Sequence, residues 1–359
     1  MIVQTRATRA DGESGGEPRF SRRGELLFIG FGLWMIVGLF LDGWAHSEQR
    51  PDSFFTPWHG VLYSGFAGAA GSAFIQLTQQ RRLGRSWLDA VPSGYRTSMV
   101  GLVLFGMGGV GDLVWHQAFG VEVNLAALVS PTHLLLMVGG ILALTGPFRT
   151  AWQTPVDSPS ITSLLPALVS LILATGMALF FTFYLSPFGQ TIVARFPGSA
   201  TDLHDFSRPS AAGFVQLREM WAIGGILLTT VLVMVPVLLV LVRWHPPVGS
   251  LLVYFAAVAI FEGAASEFRR WPLMLAVLGA GIVAEALARR SSIRVLAGVV
   301  PATLWLGYFA VTAVLYDVGW TAELWTGAVT LGAMTGLALS LIAVPPARPA
   351  EIPLSGGFS

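Results

Sequence analysis

The apolar segment 25-ELLFIGFGLWMIVGLFLDGWAH-46 decides the fold of this chain. A helix needs about 20 mostly apolar residues to cross a bilayer, and the ionisable side chains of this segment stand only near its two ends. The composition agrees, because 54% of the residues are hydrophobic, 11% are charged and the mean hydropathy is +0.67. Soluble domains carry roughly a quarter charged residues. The sequence therefore predicts an all-α fold, a polytopic transmembrane helix bundle in the lipid bilayer.

Ten such spans can be drawn along the chain, and they fall into two regions. Residues 25–148 form tandem helical hairpins, and residues 155–345 form a six-helix transmembrane half. We expect residues 1–24 to be a disordered cytoplasmic tail and residues 346–359 a second cytoplasmic tail. The predicted spans are 25–46, 57–79, 97–117, 130–148, 162–185, 213–243, 247–267, 271–289, 295–317 and 322–344.

The distribution of arginine predicts the orientation of the bundle. Most of the 21 basic residues, all of them arginine, fall on the side that carries the N-terminus, and cytoplasmic loops are the ones enriched in basic residues. Both termini are therefore expected in the cytoplasm, in a multi-pass protein of the cytoplasmic (inner) membrane. All the histidines except His245 then lie at the extracytoplasmic face.

One aspartate and two histidines form a first group around the end of the opening segment. Asp42 and His46 are four residues apart, so they project from the same face of one helix. His59 opens the next span after a short loop, which returns it to the same depth. A carboxylate and two imidazoles are thus expected to meet at the membrane border.

A similar arrangement of one aspartate and two histidines occurs a second time further along the chain. Asp112 and His116 repeat the four-residue spacing, and His133 opens the following span. Even the start of that span is repeated, since 56-TPWHGVL-62 corresponds to 130-SPTHLLL-136. This internal repeat favours a functional group over an isolated polar contact.

Imidazole and carboxylate are ligands for a transition metal. Two histidines and one carboxylate suit iron, copper, zinc or manganese, and they leave coordination positions open for dioxygen or substrate. The chain has no cysteine, which excludes thiolate ligands. Glu122 and His204 are additional candidate ligands. The alternative interpretation is that Asp and His pair as hydrogen bonds between helices.

The spacing Asp42-x3-His46-x12-His59 resembles the metal-binding motif of the C subunit of copper membrane monooxygenases, which oxidise methane, ammonia and short alkanes. That subunit carries a second Asn-x3-His…His group downstream, where this chain has Asp112, His116 and a more distant His133. The resemblance implies copper as the metal and an oxidoreductase activity. It also implies partner membrane subunits, because the C subunit works with two of them.

Two other functions remain open at the level of the sequence. One is a transporter or permease for a metal or small solute, and the other is a zinc-dependent membrane hydrolase. The spans below Asp42 and Asp112 hold few ionisable groups other than Glu285, which favours a site over a transport pathway. A homo-oligomer is an alternative to partner subunits, and nothing in the sequence indicates a nucleic-acid partner.

The predicted orientation can be tested with single cysteines, because the natural chain has none. A cysteine placed in the loops 47–55 or 186–210 should react with an impermeant maleimide added to intact cells. A cysteine placed in 80–95 should react only after lysis, since that loop is expected in the cytoplasm. The reverse pattern would put the Asp/His groups on the cytoplasmic side.

Overall fold

The computed structural model is all-helical, as the sequence predicts. In the part of the chain that the structure describes there are twelve α-helices and no β-strand. The predicted tail 346–359, and the first sixteen residues of the predicted tail 1–24, lie outside the described residues. The described residues are 17–48, 50, 55–120, 125–189, 193 and 209–344.

The helices follow one another with short connections. In chain order they are α1 (Arg22–Ser47), α2 (Pro57–Arg82), α3 (Arg96–Phe119), α4 (Leu125–Val129), α5 (Pro131–Leu144), α6 (Gly146–Gln153), α7 (Ile161–Thr182), α8 (Pro209–Arg243), α9 (Ser250–Ala265), α10 (Met274–Leu287), α11 (Ile293–Leu315) and α12 (Ala322–Ala343).

Seven helical stretches among the described residues are long and apolar enough to cross a membrane. They contain α1, α3, α5 with α6, α7, α11 and α12, together with the part of α8 that begins at Gln216. The other three predicted spans coincide with α2 and with the shorter apolar helices α9 and α10. Helix α2 is less apolar because it carries glycine, serine and glutamine along its length. The chain thus has the architecture of a multi-pass membrane protein, and the count of ten stays a prediction.

Helices α1 and α2 form a hairpin whose backbones touch at two glycines. A Cβ atom at Gly38 would lie 2.4 Å from the backbone nitrogen of Leu62. A Cβ atom at Gly65 would lie equally close, 2.4 Å, to the backbone nitrogen of Met35. Small residues at membrane helix interfaces permit this close approach, which gains van der Waals contact where the hydrophobic effect gives none.

Helices α3 and α5 form a second hairpin with the same contacts at the corresponding positions. Gly108 faces Leu136, with 3.1 Å between its hypothetical Cβ and the Leu136 nitrogen, and Gly139 faces the Phe105 nitrogen at 2.5 Å. These four residues correspond to Gly38, Leu62, Gly65 and Met35 in the repeat. The two hairpins are therefore structural copies, and the repeat extends well beyond the Asp and His residues.

Helix α7 lies at the centre of the bundle and joins the hairpins to the second half. It contacts α1, α5 and α6 as well as α8 and α9. Its most apolar stretch is 78% buried within the protein, as expected for a helix that is apolar on every face. Phe180 packs edge-on against Phe40 of α1, with ring centroids 5.2 Å apart. This end of the bundle, which carries Asp42 and Asp112, is called the Asp/His end below.

The irregular backbone after α7 is held by buried polar side chains. The Ser186 hydroxyl donates to Glu262 of α9 at 2.7 Å, and the Tyr308 hydroxyl donates to the Pro187 carbonyl at 2.9 Å. Both Glu262 and Tyr308 are buried. Backbone polar groups without a partner cost several kcal/mol in an apolar environment, so the bond to the Pro187 carbonyl helps the chain to turn inside the bundle.

The glycine contacts generate a matched pair of variants on α2. Gly65→Ala should destabilise the protein by about 1–3 kcal/mol, because the added methyl group meets backbone that cannot move aside without separating the hairpin. Gly71→Ala should be neutral or slightly stabilising, since a Cβ there meets nothing within 4 Å and alanine is the better helix former. SDS titration of the detergent-solubilised protein measures both. Equal stability of the two variants would show that α1 and α2 do not touch as described.

Candidate metal centre

The second Asp/His group converges on one point. Asp112 and His116 lie one turn apart near the end of α3, and His133 lies in the first turn of α5. His116 Nε2 is 3.3 Å from Asp112 Oδ2, and His133 Nε2 is 3.4 Å from Asp112 Oδ1. Among the described residues this is the group that brings three such donor atoms within 4.8 Å of one another. Asp112 itself is only 1% exposed.

These separations fit a metal ion. Two donor atoms bound to one ion at about 2.1 Å with tetrahedral geometry lie about 3.4 Å apart. Each imidazole Nε2 has about that separation from one oxygen of the Asp112 carboxylate, Oδ2 for His116 and Oδ1 for His133. The group can therefore hold a transition metal.

The first group is assembled in the same way but more loosely. His59 Nε2 lies 3.2 Å from Asp42 Oδ1, and His46 Nε2 lies 3.9 Å from the same oxygen. Both imidazoles thus stand beside one carboxylate, as the four-residue spacing and the short loop predict. His59 and Asp42 are buried, whereas the His46 side chain is 28% exposed.

A hydroxyl at the start of each hairpin's second helix orients the incoming histidine. Thr56 Oγ1 lies 3.0 Å from His59 Nδ1, and Ser130 Oγ lies 2.7 Å from His133 Nδ1. Thr56 and Ser130 are the N-cap residues of α2 and α5, yet neither side chain caps its helix, and proline follows both. The hydroxyl that would ordinarily bind a helix amide binds the ring instead, so that Nε2 faces the carboxylate.

Further bonds hold the remaining members of the second group. The Nδ1–H of His116 donates to the carbonyl oxygen of Gly120 at 3.3 Å, and the Thr132 hydroxyl donates to Asp112 Oδ1 at 3.1 Å. Gly120 ends α3 with a positive φ of 82°, which brings its carbonyl back toward the ring. Such hydrogen bonds fix the ring nitrogen that is free to bind a metal.

Both groups face a single cavity between the two hairpins, α7 and α9. Its volume is about 770 Å³, and its wall includes five of the six predicted ligands, all except His116. Tyr63 lines the cavity between the groups. Its ring centroid is 6.2 Å from that of His59, and it packs on Gly109 of α3, where a Cβ atom would come within 2.7 Å of the ring.

Charged residues surround the cavity where α1 ends. The Ser47 hydroxyl donates to Glu267 at 2.7 Å, and Arg269 pairs with both Glu267 at 2.6 Å and Glu48 at 3.4 Å. The hydrogen bond from Ser47 and the pairing with Arg269 hold the pKa of Glu267 below its usual range. Arg50, which also lines the cavity, stacks over Trp44. These bonds tie the first hairpin to the connection between α9 and α10.

The structure thus brings together the six residues that the repeat predicts, in two groups of three. Glu122 and His204 lie outside the described residues. Sequence reasoning missed Thr56, Ser130 and Tyr63. The repeat contained a signal for the first two, because a hydroxyl residue followed by proline precedes the histidine by three positions in both copies.

Comparisons of the chain with protein families, with curated proteins and with solved structures each find no match. The fold and the site therefore define its class on their own. It is a helical membrane protein with an Asp/His group that can bind a metal ion.

The hydroxyl groups of Thr56 and Ser130, which bind a histidine ring in place of a helix amide, give a prediction about metal affinity. Ser130→Ala and Thr56→Ala should each weaken metal binding by about 10–100-fold, the usual effect of removing a bond that orients a ligand. Stability should change little, because neither hydroxyl caps its helix. Competition with a chromogenic chelator measures the affinity. Ser160→Ala is the matched control, since Ser160 does cap a helix, α7, remote from the site. Its variant should lose stability and keep metal affinity.

Proposed function

We propose that the chain is a metal-dependent oxidoreductase of the monooxygenase type, embedded in the inner membrane. Copper is the first candidate for the metal, with iron or zinc as alternatives. The observation that carries the proposal is the shared cavity, which is lined by members of both Asp/His groups. A structural hydrogen-bond pair between helices has no need of such a cavity, whereas a site that acts on a substrate requires one.

The resemblance to the C subunit of copper membrane monooxygenases supports this choice. It rests on Asp42, His46 and His59, whose spacing matches the subunit's motif. The second group departs from that pattern, because Asp112 stands where the family has asparagine. A carboxylate there adds negative charge, which favours a bound cation.

The distribution of arginine supports an orientation in which both termini are cytoplasmic. Ten spans would then cross the membrane, with tails at 1–24 and 346–359 and hairpins over 25–148. The two Asp/His groups would face the extracytoplasmic side. The side of the membrane bears on which metal is bound, because metal availability is one of the factors that select the metal in a cell.

The residues of the chain have separable tasks in this proposal. Asp42 and Asp112 present carboxyl oxygens inside an apolar bundle, and the histidines present Nε2 toward them. A bound copper or iron ion would supply the one-electron and dioxygen chemistry. The reductant would come from partner membrane subunits or from another copy of the chain in a homo-oligomer.

The apolar floor of the cavity supports a site over a transport pathway. Leu39, Leu62, Phe105 and Leu136 line the cavity on the side of the ligands nearer the middle of their helices. A route for a metal ion or polar solute would need polar groups or exposed backbone in that place.

Removal of one histidine from each group tests the proposal. His46→Ala and His116→Ala should each lower the metal content of the detergent-purified protein, measured by plasma mass spectrometry. Loss of a ligand costs more affinity than loss of an orienting bond, which is itself worth about 10–100-fold. Oxidation of a substrate in membranes supplied with a reductant should be abolished in both variants.

His245→Ala is the matched control for both variants. His245 follows α8 and is exposed, remote from both groups, so its loss should leave metal content unchanged. Wild-type metal content in His116→Ala would make the second group a hydrogen-bonded contact between helices. Wild-type metal content in both variants would overturn the proposal.

A further inference from the structure

The cavity is far larger than a gas-sized substrate requires. Its volume is about 770 Å³, whereas one water molecule takes up about 30 Å³ in the liquid. Pockets that bind drug-sized molecules span about 300–1,000 Å³. A space of this size is sufficient for a molecule with many non-hydrogen atoms.

The floor of the cavity is apolar and is built by the repeat. Leu62 follows His59 by three residues and Leu136 follows His133 by three residues, and both line the cavity. At about 1.5 Å per residue these leucines lie about 5 Å along their helices from the ligands. Phe105 lies seven residues from Asp112, or about 10 Å. The cavity therefore offers an apolar surface that extends away from the Asp/His groups.

The side walls add aromatic surface, and the charged side chains of the described lining lie at the Asp/His end. Phe180 and Phe181 of α7 line the wall, followed by Phe183. Among the described residues, the charged lining residues other than the Asp/His groups are Arg50 and Glu267, both beyond the end of a helix at the Asp/His end. Aromatic and aliphatic walls with few, grouped polar residues are typical of sites for lipophilic molecules.

We infer that the cavity binds a lipophilic molecule of roughly drug size, with its apolar body on the floor formed by Leu39, Leu62, Phe105 and Leu136. One end of the molecule lies beside the Asp/His groups. Its role as the substrate rests on the proposed function, but its binding does not. The occupant belongs to the class of long-chain or polycyclic hydrophobic molecules that partition into membranes, not to the class of dissolved gases.

The test uses a dodecyl probe that carries an aliphatic diazirine and an alkyne. The full chain is reconstituted in phosphatidylcholine nanodiscs without added metal, irradiated with the probe, and mapped by peptide mass spectrometry. Labelling is expected on cavity residues such as Phe105, and excess unlabelled dodecanol should suppress it. Leu39→Trp and Leu62→Trp should each reduce that labelling about tenfold, because the indole fills the floor; such a change corresponds to one decade in affinity.

Val103→Trp is the matched control, because Val103 lies on α3 but is 62% exposed on the outside of the bundle. Its variant should keep wild-type labelling of the cavity. Thermal unfolding establishes that each variant is folded, and a variant that does not fold is replaced by the smaller substitution Leu39→Phe or Leu62→Phe. Labelling confined to outward-facing residues, or equal cavity labelling in the floor variants and the control, would overturn the inference.

Metal content, measured on the same preparations, separates this inference from the proposed function. The floor variants should bind as much metal as the wild-type protein, since they leave all six ligands in place. Cavity labelling that persists in His46→Ala and His116→Ala supports the inference independently of any metal. A floor variant that loses metal but keeps cavity labelling contradicts the inference, because the floor would then support the ligands and not the lipophilic molecule.

Discussion

The contact between the backbones of α1 and α2 at Gly38 and Gly65 sets the geometry on which the site depends. With glycine at these positions the two helices touch directly, and a side chain at either one would push them apart. That contact places the first turn of α2 beside the last turns of α1, so that His59 reaches Asp42 at 3.2 Å. Because hydrogen-bond and coordination distances tolerate little change, the separation of the helices controls the chemistry of the site.

The electrostatics of the second group explain why a positive charge belongs there. The Nδ1–H of His116 donates to a carbonyl oxygen, so a neutral ring would turn the lone pair of Nε2 toward Asp112 at 3.3 Å. A lone pair facing a carboxylate oxygen is repulsive in a medium of low dielectric. A proton on Nε2 would relieve this repulsion, and so would a metal ion. A proton on one Nε2 relieves the repulsion at that imidazole alone, whereas a bound metal ion would be coordinated by all three side chains.

The sequence predicts those parts of the structure that depend on periodicity. Hydropathy predicts the helical class, and the four-residue spacing predicts that His46 and His116 share a helix face with their aspartates, because 3.6 residues make one turn. Three predicted spans are shorter or less apolar than the other seven for a physical reason. Helix α2 exchanges apolar residues for the small and polar ones that its contact with α1 requires, and α9 and α10 are short.

The rest of the site depends on tertiary contacts that no local pattern contains. A hydroxyl residue before proline, as at Thr56 and Ser130, predicts an ordinary helix cap, and only the folded hairpin shows it bound to a histidine. The cavity likewise requires walls from α7 and α9, which are distant in the sequence. In the sequence alone, Tyr63 is indistinguishable from other aromatic residues near a membrane interface, and its place between the two groups is not evident.

The two groups share the four-residue spacing of aspartate and histidine in the sequence, but they differ in their exposure to the cavity and in their hydrogen-bond partners. In the first group Asp42, His46 and His59 all line the cavity, and His46 stands 3.9 Å from its carboxylate. In the second group His116 lies outside the cavity wall and is held by the Gly120 carbonyl, and Thr132 binds Asp112. Tightly held ligand sets are typical of structural metal sites, while sites that act on a substrate keep a position open. The first group thus presents all three of its side chains to the cavity, whereas the second presents Asp112 and His133 and keeps His116 in its bond to the Gly120 carbonyl.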